Sequence, residues 1–102
     1  MLALNGSTDG AGDAEALARW YDEVHLPDFK TIEAVKTARR YKVLRGTLPG
    51  IEAWPYVAAY EIETDDMEEV SRRLQTDLRP FHPALDRSRS AMLLAVQTAG
   101  DD

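Results

Sequence analysis

Cysteine is missing from the chain, which removes disulfides, cysteine-zinc sites and thiol nucleophiles together and suits a reducing compartment, so a cytoplasmic protein is expected. Positive charge is scarce as well: 12 Lys and Arg stand against 18 Asp and Glu, a formal net charge of −6. Such a surface repels phosphate backbones and anionic headgroups, so no nucleic acid and no membrane is expected among the partners. Long apolar runs are absent. The longest, Ala91 to Val96, falls far short of the roughly 20 residues that cross a bilayer, and the opening Met1-Leu2-Ala3-Leu4-Asn5-Gly6 lacks the pattern of a signal peptide. The two histidines have 56 residues between them, with no His-x-x-x-His and no clustered carboxylates, so no metal site is expected. Gly10-Ala11-Gly12 lacks the Lys and the glycine spacing of a phosphate loop, which argues against nucleotide binding.

What is present is a globular composition, 44% apolar and 29% charged, over 102 residues. That length holds one hydrophobic core, so residues 1–102 are expected to form a single domain. A core this small leaves little room for a sizeable ligand unless the chain pairs with a copy of itself.

Residues 1 to 5 suit a short first strand, cut off by the turn-forming segment from Gly6 to Gly12. Leu17, Trp20, Tyr21 and Val24 then share one helical face, with Asp13 placed to cap the start and Pro27 to end the helix. Val35 to Leu44 reads as a second strand with Val35, Thr37, Arg39, Tyr41 and Val43 on one face. Pro49-Gly50 marks a long hairpin loop leading to a third strand, Tyr56 to Ile62. Asp65 and Glu68 form a capping-box pattern opening a second helix with Met67, Val70, Leu74 and Leu78 inward, and Ala91 to Thr98 makes the last strand. The order β-α-β-β-α-β predicts an α+β, ferredoxin-like fold, a four-stranded antiparallel sheet with two helices on one face. Its uncovered face would be apolar, which predicts a homodimer through the sheet faces.

His25 continues the inward stripe of the first helix, four residues after Tyr21. It stands at the helix end, where the dipole, Asp22 and Asp28 favour its protonated form and burial opposes it. A histidine poised near neutrality is the usual general acid or base; the alternative is one that caps helix carbonyls or bonds Asp28. Arg39 and Arg40 alternate across the second strand, so only one faces a cavity. Arg39, on the face of Tyr41 and Val43, is the better candidate for an anion or oxyanion, against an ion pair with Glu61. His82, between Pro80-Phe81 and Pro83, sits on a rigid loop that either rims a pocket or is simply exposed. Tyr21, Tyr41, Tyr56, Tyr60 and Phe81 serve as core, interface or ligand wall.

The run Trp20-Tyr21-Asp22-Glu23-Val24-His25-Leu26-Pro27-Asp28, followed by Ala38-Arg39-Arg40-Tyr41 and Pro55-Tyr56-Val57-Ala58-Ala59-Tyr60-Glu61, resembles the EthD-like branch of the dimeric α+β barrel superfamily. The resemblance covers nearly the whole chain, and W-Y-x-x-x-H-L-P is its most specific part. It implies a small ferredoxin-like subunit that dimerises through its sheet and binds organic molecules between sheet and helices, with His25 matching the acid-base histidine of the lactone isomerases in that group. His82-Pro83-Ala84 resembles the histidine-proline element of its polyketide cyclases. Those relatives carry a second histidine three residues on, where this chain has Leu85, so it lacks the residue expected to remove the proton in the cyclases.

Together these readings predict a cofactor-independent enzyme, an isomerase, cyclase or dehydratase acting by proton transfer on a small, largely apolar oxygenated molecule. His25 would shuttle the proton and Arg39 or a tyrosine would steady the developing oxyanion. The alternative is a binding protein that holds such a molecule without turning it over.

Overall fold

The computed structural model describes residues 1–100. Its elements are β1 (Leu2–Ser7), α1 (Asp13–Trp20), a π-helical turn (Tyr21–His25), α2 (Leu26–Lys30), β2 (Val35–Lys42), a 3-10 turn (Ile51–Ala53), β3 (Tyr56–Ile62), α3 (Met67–Thr76) and β4 (Leu85–Leu93). The strands form one antiparallel sheet in the order β2-β3-β1-β4. This α+β arrangement, with α1 to α2 as one continuous helical arm and α3 as the other, is consistent with a ferredoxin-like fold.

The core lies where the first helical arm covers the sheet. Leu17, Trp20, Tyr21, Phe29 and Ile32 meet Ala3, Val35, Ala58 and Tyr60. Ile32 is 1% exposed, the most deeply buried apolar residue. α3 adds the buried Val70 and the partly buried Leu74.

The helix starts and stops differ from expectation. Gly12, with φ 80°, precedes α1, while the Asp13 carboxylate accepts hydrogen bonds from the Gly10 N–H and the Thr8 hydroxyl and so fastens the loop. Pro27 does not end the helix. The Leu26 N–H donates to the Tyr21 carbonyl five residues back, and the widened π turn lets the chain run on through Pro27 near the start of α2. Proline is tolerated in a first turn, where its missing N–H has no partner to lose. The cap of α3 is Asp66, whose carboxylate accepts the Glu69 N–H at 3.1 Å, one residue beyond the predicted Asp65–Glu68 pair.

Two bulges alter the strands. β1 runs on to Ser7 through a register shift between Asn5 and Gly6. A Cβ on Gly6 would lie 2.8 Å from the Arg89 Cβ, so only glycine allows β4 to pass this closely. β4 occupies Leu85–Leu93 and not Ala91–Thr98, because the polar stretch from Asp86 to Ser90 lies on an edge strand that needs no apolar alternation. In β2 the register shifts between Val35 and Thr37, so Val35 pairs with Ile62 while Thr37 pairs with Glu61. The extra residue reverses the alternation. Val35, Ala38 and Arg40 share the helix-covered face with Ile62, Tyr60 and Ala58, and Thr37, Arg39 and Tyr41 share the opposite face with Glu61, Ala59 and Val57. Arg39 is exposed on that uncovered face, and Arg40 is the arginine on the helix side.

Candidate functional site

Trp20, Tyr21 and His25 point inward from the middle of the first arm, and His25 is only 4% exposed. Residues four apart share one helical face, and through the π turn both Tyr21 and His25 remain buried. The imidazole stacks on Trp20 with centroids 4.3 Å apart and meets Tyr21 and Phe29 edge-on at 5.2 and 4.9 Å. Phe81 closes the cage at 5.6 Å.

This apolar cage controls the charge of His25. Burial removes water from the imidazolium and lowers the pKa from 6.5 to about 4, while the nearby Asp28 pulls it upward by less. At neutral pH the ring is therefore uncharged. Its Nδ1 is buried without a hydrogen-bond partner. Asp28 does not supply one, because its carboxylate is taken by Arg79: the guanidinium Nε donates at 3.0 Å, an Nη at 2.7 Å and the Arg79 backbone N–H at 3.0 Å. Those bonds hold the Asp28 carboxyl below the usual carboxylate range.

His25 lines a cleft of about 310 Å³ between the sheet and α3. Leu74, Leu78, Phe81, Met92 and Leu94 make its wall apolar, and Asn5, Ser71 and Gln75 bring polar groups. A second, smaller cavity of about 60 Å³ lies on the other side of Asn5, bounded by Leu17, Tyr21, Arg40 and Tyr56. Ala3 and Asn5 border both spaces, and the Asn5 amide donates to the Tyr21 hydroxyl between them.

The predicted site residues thus divide into groups. His25 and Phe81 line the cleft, and Tyr21 and Tyr56 line the smaller cavity. Tyr60 belongs to the core: it is 2% exposed and stacks on Phe29 at 3.8 Å, and its hydroxyl is buried without a partner, which raises its pKa. Arg39 and Tyr41 face away from both spaces. His82 accepts the Ala84 N–H at Nδ1 and lies 6.4 Å from Trp20, so its ring braces the loop behind the indole. Neither Arg39 nor Arg40 forms an ion pair among the described residues, so the expected pairing with Glu61 is not made. Sequence reading missed Arg79 and the cleft residues on α3 and β4; a contact spanning 51 positions leaves no local signal.

Among the described residues no group of three or more His, Asp or Glu side chains is placed to hold a metal ion, and no helix is long and apolar enough to cross a membrane. No family model, curated protein or solved structure matches the chain.

Proposed function

We propose that the protein is a cofactor-independent acid-base enzyme of the EthD-like kind, acting on a small, largely apolar oxygenated molecule such as a lactone or an aromatic breakdown product. The observation that carries this reading is the neutral, caged His25 lining an apolar cleft into which Ser71 and Gln75 bring polar groups. A neutral imidazole accepts a proton from a carbon beside a carbonyl and returns it elsewhere, which accomplishes isomerisation or elimination. The hydroxyl of Ser71 and the amide of Gln75 supply donors for the oxygen that becomes negative. Arg39 has no part in this step, since it lies on the other sheet face.

The uncovered face presents Leu2, Leu4, Val57, Ala91 and Leu93, and pairing with a second copy would bury them in the manner of a dimeric α+β barrel. The low pKa of His25 favours a second reading, a binding protein that uses the imidazole only to accept a ligand hydroxyl. Turnover of a panel of lactones and phenolic acids by wild type and His25→Ala separates the two. The enzyme reading requires turnover that is lost in a folded variant, and full activity in H25A overturns it. Sedimentation equilibrium tests the dimer, and a monomer at micromolar concentration refutes it.

A further inference from the structure

The smaller cavity holds an arginine that the proton-transfer reading does not use. Arg40 lies with its guanidinium carbon 4.0 Å from the Tyr56 ring centre and 5.3 Å from that of Tyr21. Two aromatic rings therefore attend the cation through cation-π attraction, which restrains its plane. Its guanidinium N–H groups donate to no described residue, and the side chain forms no ion pair among them. Arg73 is engaged by Glu69 in the groove it lines and Arg79 by Asp28, while Arg19, Arg39, Arg45 and Arg87, which also form no ion pair among the described residues, are exposed to solvent. Arg40 is a half-buried arginine without a carboxylate partner in a chain of net charge −6, where acids outnumber bases.

The space beside it has a definite size. A cavity of about 60 Å³ exceeds several times the roughly 10–15 Å³ that admits one water. It therefore accommodates the three atoms of a carboxylate and the carbon that carries them. The Tyr21 hydroxyl, which also lines this space, receives the Asn5 amide proton and keeps its own proton to donate. We infer that the cavity between Tyr21, Arg40 and Tyr56 is a binding subsite for a carboxylate, held by the fork of Arg40. A planar carboxylate matches two parallel N–H groups of a guanidinium, and a pre-stacked fork loses little freedom when it binds. The subsite does not depend on His25 acting as a base.

The test is an NMR titration of the 15N-labelled protein with sodium acetate at constant ionic strength and pH 7, following the Arg40 Nε–H and the rings of Tyr21 and Tyr56. Acetamide serves as the neutral isostere and inorganic phosphate as the rival anion. Acetate is expected to give a saturable shift at Arg40 that acetamide does not give. Arg40→Gln should abolish it, and Arg40→Lys should weaken it about tenfold, because an ammonium keeps the charge and loses the fork. Absence of a saturable shift in wild type, an equal response to acetamide, undiminished binding in R40K, or tighter binding of phosphate than of acetate each overturns the assignment.

Discussion

Arg79 grips the carboxylate of Asp28, one turn beyond His25, with Nε 3.0 Å from both oxygens and an Nη 2.7 Å from one. The acid that acts on the histidine is thereby spent on an arginine from the loop after α3. Asp28 raises the His25 pKa by less than burial lowers it, and removing Arg79 leaves that acid's field unopposed. Arg79→Ala is therefore expected to raise the His25 pKa from about 4 toward its ordinary value, and Asp28→Asn to lower it further. Imidazole chemical shifts followed against pH read both changes, and unmoved titrations in the two variants would refute the coupling.

Protonation of His25 also couples to folding. Its folded pKa of about 4 lies below the 6.5 of the unfolded chain, so the unfolded state binds the proton first. Stability contributed by the neutral ring is complete above pH 6.5 and is lost as pH falls toward 4, by about 3 kcal/mol over the interval. Urea midpoints measured from pH 7 to pH 4.5 should show this slope in wild type, and His25→Gln should flatten it. An equally steep loss in H25Q would assign the slope elsewhere.

Tyr60 carries a buried hydroxyl with no partner, while its ring stacks fully on Phe29. Removing the oxygen deletes an unsatisfied group and leaves the stack. Tyr60→Phe is expected to be neutral or stabilising by up to about 1 kcal/mol. A clear fall in thermal midpoint would reveal a partner that the hydroxyl finds in solution.

Where β4 bulges against β1, a methyl group on residue 6 would press on the Arg89 Cβ at 2.8 Å and on the Arg89 carbonyl oxygen at 3.0 Å. Arg89 has no partner in the β1 register, but its carbonyl oxygen also accepts the Trp54 ring N–H at 2.7 Å, which limits its freedom to retreat. Gly6→Ala should cost about 1–3 kcal/mol, measured by chemical denaturation. A cost below the error of measurement would show that β4 slides easily past β1.

The order of elements was legible because each depends on short-range periodicity. The stripe of Leu17, Trp20 and Tyr21 and the tyrosines of β3 mark their own structure, and burial of His25 follows from the same spacing. Alternation fails where a bulge adds a residue. Counting from Val35 puts Arg39 on the covered face, and the shift before Thr37 gives that place to Arg40. Pro27 misled for a related reason, since a proline stops a helix only where the preceding turn demands its N–H, and the π turn makes no such demand. The charge of His25 was open because dipole, acids and burial compete. Its aromatic cage, assembled from residues as distant as Phe29 and Phe81, decides for burial.

The Trp20–His25 stack gives the molecule an optical readout. An indole 4.3 Å from an imidazole shares van der Waals contact with it, and a positive charge arriving on that ring perturbs the excited indole directly. The chain's other tryptophan, Trp54, donates its ring N–H to the Arg89 carbonyl, away from the cage. Replacing Trp54 with Phe isolates a single emitter, so that anything which reaches His25, whether a proton or a molecule entering the cleft, announces itself as a change in Trp20 fluorescence without any added label.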